Sequence, residues 1–301
     1  MIVREHPSNL KLFFVLQGSI VPKIIGRIVG VALITAIVLL LDRKVTPLPH
    51  ISIGAMGVFG VALSLFLGFR NNAAYDRWWE ARKLWGTMIA EVRTLGRHAT
   101  IFVDSAEGRE RMLSCAVVFA HALRGKLRSV DVQAEMTPWM DAGRAARIAE
   151  HGNPADAALR ALADEVATLG RAGAVDGFGQ MTIAGSVSTL AEAQAGCERI
   201  LLTPLPFVYS LLVRRTTYLY CGLLPFALIE PSGGFAPALA AVVAYVFFGL
   251  QAVTNELELP FRNVENGLPL DAMCRTIEIS VAEALGRTPP APLEPEGHVL
   301  T

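Results

Sequence analysis

Apolar residues in this chain gather into four long runs, each set off by short polar breaks. A spanning helix needs about 20 mainly apolar residues, because the hydrocarbon core is about 30 Å thick and each helical residue rises about 1.5 Å. The run 24–41 meets that length and carries Arg27 one turn inside its start, where the long side chain lets the charge reach the headgroups. The run 51–69 has no charge. Between them Asp42, Arg43, Lys44, Pro47 and Pro49 predict a short polar turn and therefore an antiparallel pair. The run 206–228 is apolar apart from Arg214 and Arg215. Two adjacent arginines at the bilayer centre are strongly unfavourable, so 216–229 is expected to span and 204–213 to form a bent or interfacial lead-in. Glu230, Pro231, Ser232, Gly233 and Gly234 predict a tight turn before the last uncharged run, 235–255.

Orientation follows from positive charge at the ends of the runs. Arg70, Arg77, Arg82, Lys83 and Arg93 follow the second, Arg199, Arg214 and Arg215 precede the third, and Arg262 follows the fourth. Only Arg43 and Lys44 lie in the other turns. Both termini and the stretch 70–203 are therefore expected on the cytoplasmic side of a bacterial inner membrane, in a multi-pass protein. The start, with Arg4, Lys11 and Lys23 among apolar residues and no small-residue cleavage site, reads as an uncleaved segment.

The stretch 70–203 reads as helix throughout. Trp78, Ala81, Trp85, Met88, Ile89 and Val92 recur at three- and four-residue spacing and make one apolar stripe. The segment 112–123 is apolar but too short to span, which predicts a core helix. Segments 141–169 and 190–200 continue the helical pattern on either side of a glycine-rich turn at 170–179. The expected fold is all-α, organised as 1–69 (N-terminal segment and first two spans), 70–203 (cytoplasmic helical domain), 204–256 (last two spans), 257–286 (C-terminal helical segment) and 287–301, a proline-rich disordered tail.

Composition agrees with this segregation: 52% of residues are hydrophobic and mean hydropathy is +0.43, with 18% charged. Lys+Arg and Asp+Glu both number 27, so no basic field argues for a nucleic-acid partner. Cys115, Cys197, Cys221 and Cys274 lie far apart and are expected to be free buried thiols. The six histidines never pair at ligand spacing, and no nucleophile or phosphate-loop motif is present. No enzyme activity, metal or cofactor is expected. Glu256, Glu258 and Glu265 cluster after the last run and read as acidic residues at a wet helix end.

A pore built from only four spans needs several subunits about an axis. The second run suits the axis-facing role: Gly54, Gly57 and Gly60 make a small face for helix contact, while Val61, Leu65 and Phe69 fall four apart on one stripe. A ring of such side chains gates by dewetting.

The stretch LGFRNNAAYDRWWEARKLWG at 67–86 resembles the signature that follows the second span in the bestrophin family, bacterial branch. The likeness continues in LKLFFVLQGSIVPKI, QAGCERILLTPLPFVYSLL, RRTTYLYCGLLPFAL and ELELPFRNVENGLPLDAM, in order over most of 10–280. The resemblance implies a homopentameric channel with four spans per subunit, a central pore and a helical cytoplasmic vestibule. It implies a hydrophobic neck at Val61, Leu65 and Phe69, which the stripe also selects. It implies a second constriction at Met181, with Ile183 as an alternative. It further implies passage of monovalent ions, with sodium-like cations favoured and chloride the alternative. Animal members carry a run of aspartates after the Pro-Phe pair. Here Pro260 and Phe261 lead into Arg262, Asn263, Val264, Glu265, Asn266 and Gly267, so calcium gating by that route is not expected. Two other classes stay open at this level, a helical scaffold or sensor without conductance and a membrane enzyme or carrier.

Overall fold

The structure, a computed structural model, describes residues 1–3 and 15–301. The positions 10–14 of the N-terminal motif, together with Arg4 and Lys11, lie outside the described residues. Among the described residues the chain is all-helical, with only isolated β-bridges near the termini. It forms two compact units, one of 1–4, 79–203 and 260–301, the other of 5–78 and 204–259.

The second unit contains α1 (Val21–Lys44), the first half of α2 (Ile53–Phe102), α8 (Phe207–Ser232) and α9 (Ala236–Leu257). Among the described residues three helical runs are long and apolar enough to cross a membrane: Val21–Lys44, Ile53–Phe102 and Phe207–Leu257. The last is α8 and α9 joined by a 3₁₀ turn, Gly233–Phe235, where Gly233 takes φ 49°. The two helices then pack against each other. Ala236, Ala240 and Ala244 are fully buried at four-residue spacing, and small side chains there let α9 lie close against α1. Ile24, Val31, Leu63, Leu67, Val213, Leu224 and Phe248 complete this core.

Two expectations are corrected here. The lead-in 204–213 is not a separate bent segment: α8 begins at Phe207, after Pro206, and runs unbroken through Arg214 and Arg215, both exposed. Proline at N-cap and first-turn positions costs little, because the missing N–H has no helical acceptor there. Nor do all three glycines of the second run serve a helix contact. Gly57 faces open space within the chain, Gly54 has only the hydroxyl of nearby Ser52 beside it, and Gly60 is the one packed against another helix, at Tyr220.

The other unit is built around α3 (Ala106–Arg128), which is buried at every position from Met112 to Gly125. Ser105 starts it by accepting the Gly108 N–H at 3.0 Å. The stripe on α2 packs as the spacing predicts, with Ala81, Trp85, Met88 and Val92 buried. Around α3 lie α4 (Gln133–Met136), α6 (Pro154–Arg171), α7 (Gly177–Leu202) and α10 (Leu270–Ala284), with α5 (Ala142–Glu150) against α6. The segment read as continuous helix, 141–169, breaks between α5 and α6 because Asn153 caps and Pro154 starts the second helix. Asp176 likewise starts α7, earlier than position 190, by accepting the Gly179 N–H at 2.7 Å.

The expected disordered tail, 287–301, is instead tied down without helix or strand. Val3 N–H donates to the His298 carbonyl at 2.9 Å, Ala272 N–H to Thr301, and Leu300 N–H to Met1. These are backbone pairings between distant segments, to which composition is blind.

Candidate functional site

On the first half of α2 the two faces differ sharply. Met56, Gly60, Leu63, Leu67, Arg70 and Ala74 recur at three- and four-residue spacing and are buried within the unit. The opposite face carries Val61, Leu65 and Phe69, exposed by 70%, 57% and 58%. Val58, one turn before Val61, is exposed as well. The three residues singled out as a neck thus share one open apolar face of a membrane-capable helix and are not among its buried core residues. Ser64 lies between them and spends its hydroxyl on the Gly60 carbonyl at 2.7 Å, so it adds no free polar group.

The buried face is held by Gly60. A methyl group there would meet the Tyr220 hydroxyl at 2.8 Å, and that ring is wedged between Phe59 and Phe247 with centroids 5.4 and 5.0 Å away. Tyr209 adds a hydrogen bond from its hydroxyl to the Phe66 carbonyl at 3.0 Å.

Sequence reasoning missed a polar stripe on α9. Gln251, Thr254, Asn255 and Glu258 fall at spacings of three and four, and Gln251 and Thr254 are fully buried. Arg70, 2% exposed, reaches this stripe: its Nη2 donates to Asn255 Oδ1 at 3.0 Å and to Glu258 Oε2 at 2.9 Å. Arg77 donates from Nε to the Glu258 carbonyl at 3.2 Å. Glu256 pairs with Lys23. Both glutamates are thus engaged by cations of the chain itself. The signal available in the sequence was the helical spacing of four polar residues closing an otherwise apolar run.

In the other unit Met181 is exposed by 71%, with Phe178 exposed one turn earlier, whereas Ile183 is fully buried. Of the two candidates for a second constriction, only Met181 presents its side chain at the surface of α7. The loop after Phe261 is closed by Arg128, whose Nε donates to the Phe261 carbonyl at 3.2 Å and whose Nη2 donates to the Leu268 carbonyl at 3.1 Å. Asp271 pairs with Arg128 at 2.7 Å and with Arg124. Burial opposes its charge, but Arg128 and Arg124 outweigh that and hold the carboxyl below the ordinary carboxylate range. His121 Nε2 lies 2.7 Å from Glu278 Oε1, and Arg275 pairs with the other oxygen. Glu80 pairs with Arg199 of α7.

All four cysteines are buried. Burial pushes the Cys115 thiol up to about 11 and the Cys197 thiol up to about 12, away from nucleophile chemistry.

The sequence model of the family described as "Bacterial/Fungal Bestrophin protein" matches residues 1–283. A voltage-dependent anion channel-forming protein of Mesorhizobium japonicum is 46% identical over 98% of this chain and 96% of its own length. The voltage-dependent anion channel-forming protein YneE of Escherichia coli K12 is 35% identical over 99% of both chains. Among solved structures, a bacterial bestrophin homologue from Klebsiella pneumoniae superposes with a TM-score of 0.83 at 32% identity, over 88% of this chain and all of its own. The family match over nearly the whole chain, with this all-helical architecture, makes the chain a member of the bestrophin family, in its bacterial and fungal branch.

Proposed function

We propose that this protein is a homopentameric anion channel of a bacterial inner membrane, with four spans per subunit and both termini on the cytoplasmic side. Members of the family are ion channels and not enzymes. The observation that carries the pore reading is the open face of α2: Val61, Leu65 and Phe69 stand exposed in register on a membrane-capable helix whose opposite face is buried. Copies arranged about an axis would stack these side chains into three apolar rings, a neck that conducts when wet and closes when dry. Met181 on α7 is the matching candidate for a second, lower ring.

An apolar neck does not set the sign of the permeant ion. The relatives from Mesorhizobium japonicum and Escherichia coli are named as anion channel-forming proteins, which favours chloride-like anions. The sodium-like preference expected from the resemblance finds no support among them. Purified protein in a planar bilayer tests this under a chloride salt gradient. Unitary currents reversing toward the anion equilibrium potential are expected. Reversal toward the cation potential would overturn the anion reading, and absence of current with a stable complex to a second protein would favour a scaffold.

A further inference from the structure

Within the membrane unit, Arg27, Arg214 and Arg215 are cations that its own carboxylates leave alone. Lys23 is spent on Glu256, and Arg70 on Glu258. Arg27, Arg214 and Arg215 are exposed, and among the described residues none has a carboxylate within ion-pair distance. All three sit within helices α1 and α8 rather than in the turns between helices. A cation placed that far into a spanning helix needs a counter-charge or a polarisable support.

Aromatic rings supply part of that support. The Arg27 guanidinium lies over the Phe248 ring at 5.7 Å from its centroid, and Phe248 is 1% exposed. The Tyr218 ring meets Phe248 on α9 at 5.2 Å between centroids. Tyr218 is itself half exposed, and Arg214 stands one turn before it on the same face of α8. Helices α1, α8 and α9 pack against one another here. The aromatic pair thus links the Arg27 guanidinium of α1 to the stretch of α8 that carries Arg214 and Arg215. The cation–π contact fixes Arg27 without neutralising it. Above the cations the exposed surface is apolar: Ile34 follows Arg27 two turns along α1, and Leu219 follows Arg215 by one turn on α8.

We propose that Arg27, Arg214 and Arg215 form a binding site for an anionic phospholipid, with the headgroup phosphate between the guanidiniums and the acyl chains along Ile34 and Leu219. Guanidinium forks match phosphate oxygens in geometry, and the depth of the cations matches a headgroup drawn slightly inward. The apolar flank selects a lipid over a free phosphate.

Native mass spectrometry of delipidated, detergent-solubilised protein tests the site, using phosphatidylglycerol and phosphatidylcholine of the same acyl chains as probes. The wild type is expected to retain phosphatidylglycerol in preference to phosphatidylcholine. Each basic residue near an anionic lipid is worth about 1 kcal/mol, or about fivefold in affinity. Arg27→Gln should therefore weaken retention about fivefold, and Arg214→Gln with Arg215→Gln about 25-fold. Arg43→Gln with Lys44→Gln removes equal charge at the far end of α1 and should change nothing. Equal retention of the two lipids by the wild type, which requires no variant to fold, would overturn the proposal. So would an equal loss in the Arg43/Lys44 control, which marks diffuse charge attraction. Displacement of the lipid by excess inorganic phosphate would overturn the lipid as occupant, and its failure to displace supports it. An effect of Arg27→Gln with none from the α8 pair would overturn a shared site.

Discussion

Arg70 and Glu258 meet at 2.9 Å in the membrane unit, and the arginine side chain is 2% exposed. The pair is incompletely satisfied, since Nε and Nη1 of Arg70 have no hydrogen-bond partner. Cutting one member of such a pair leaves an uncompensated buried charge. Glu258→Gln should destabilise by about 3–5 kcal/mol, whereas Arg70→Met with Glu258→Leu should recover most of that loss. Thermal denaturation in detergent distinguishes the outcomes. A double variant as weak as the single one would show that the arginine does more than balance the glutamate.

The two faces of α2 predict opposite phenotypes at adjacent positions. Gly60→Ala places a methyl against Tyr220, which Phe59 and Phe247 hold in place, and should cost about 1–3 kcal/mol of stability. Val61→Ala alters an exposed side chain. It should leave the melting temperature within error while raising unitary conductance or weakening gating in a planar bilayer, as should Leu65→Ala and Phe69→Ala. Unchanged currents in all three would remove the neck assignment.

Acid should weaken the unit built around α3. Asp271, Glu165, Glu198 and Glu278 are all held below their ordinary values: burial opposes the charge of each, and hydrogen bonds or nearby cations outweigh it. A carboxyl lowered in the folded state contributes stability above its unfolded pKa and loses it as pH falls through the folded one. Stability should therefore hold down to roughly pH 5 and decline below it, where the unfolded chain takes up more protons. Asp271→Asn should lower stability at neutral pH by about 3 kcal/mol and flatten the acid limb. Melting temperature followed against pH reads both.

Gly267 admits no side chain. An added methyl carbon would sit 2.1 Å from the backbone carbonyl oxygen of Arg262, in the loop that Arg128 closes. Backbone cannot swing aside as a side-chain tip can. Gly267→Ala should cost about 3 kcal/mol or more and release the Arg128 contacts. Proteolytic nicking between positions 262 and 268 would report the opened loop, and a variant as resistant as the wild type would refute the clash.

Hydropathy and helical spacing alone determined that this is an all-helical protein with long apolar runs, that 112–123 is a core helix, and that Ala81, Trp85, Met88 and Val92 share a buried stripe. These follow from local periodicity, because a helix must bury one face or meet lipid. The stripe Val61, Leu65 and Phe69 was legible for the same reason, though not which side of α2 it occupied. Only tertiary structure decided that, by packing Gly60, Leu63 and Leu67 inward and leaving the stripe open. It also decided that Arg70 meets Glu258, that Arg128 closes the loop after Phe261, and that the tail after position 286 is pinned by backbone hydrogen bonds. Each joins residues distant in sequence, and such partners are fixed by how helices pack, which no single segment's pattern contains.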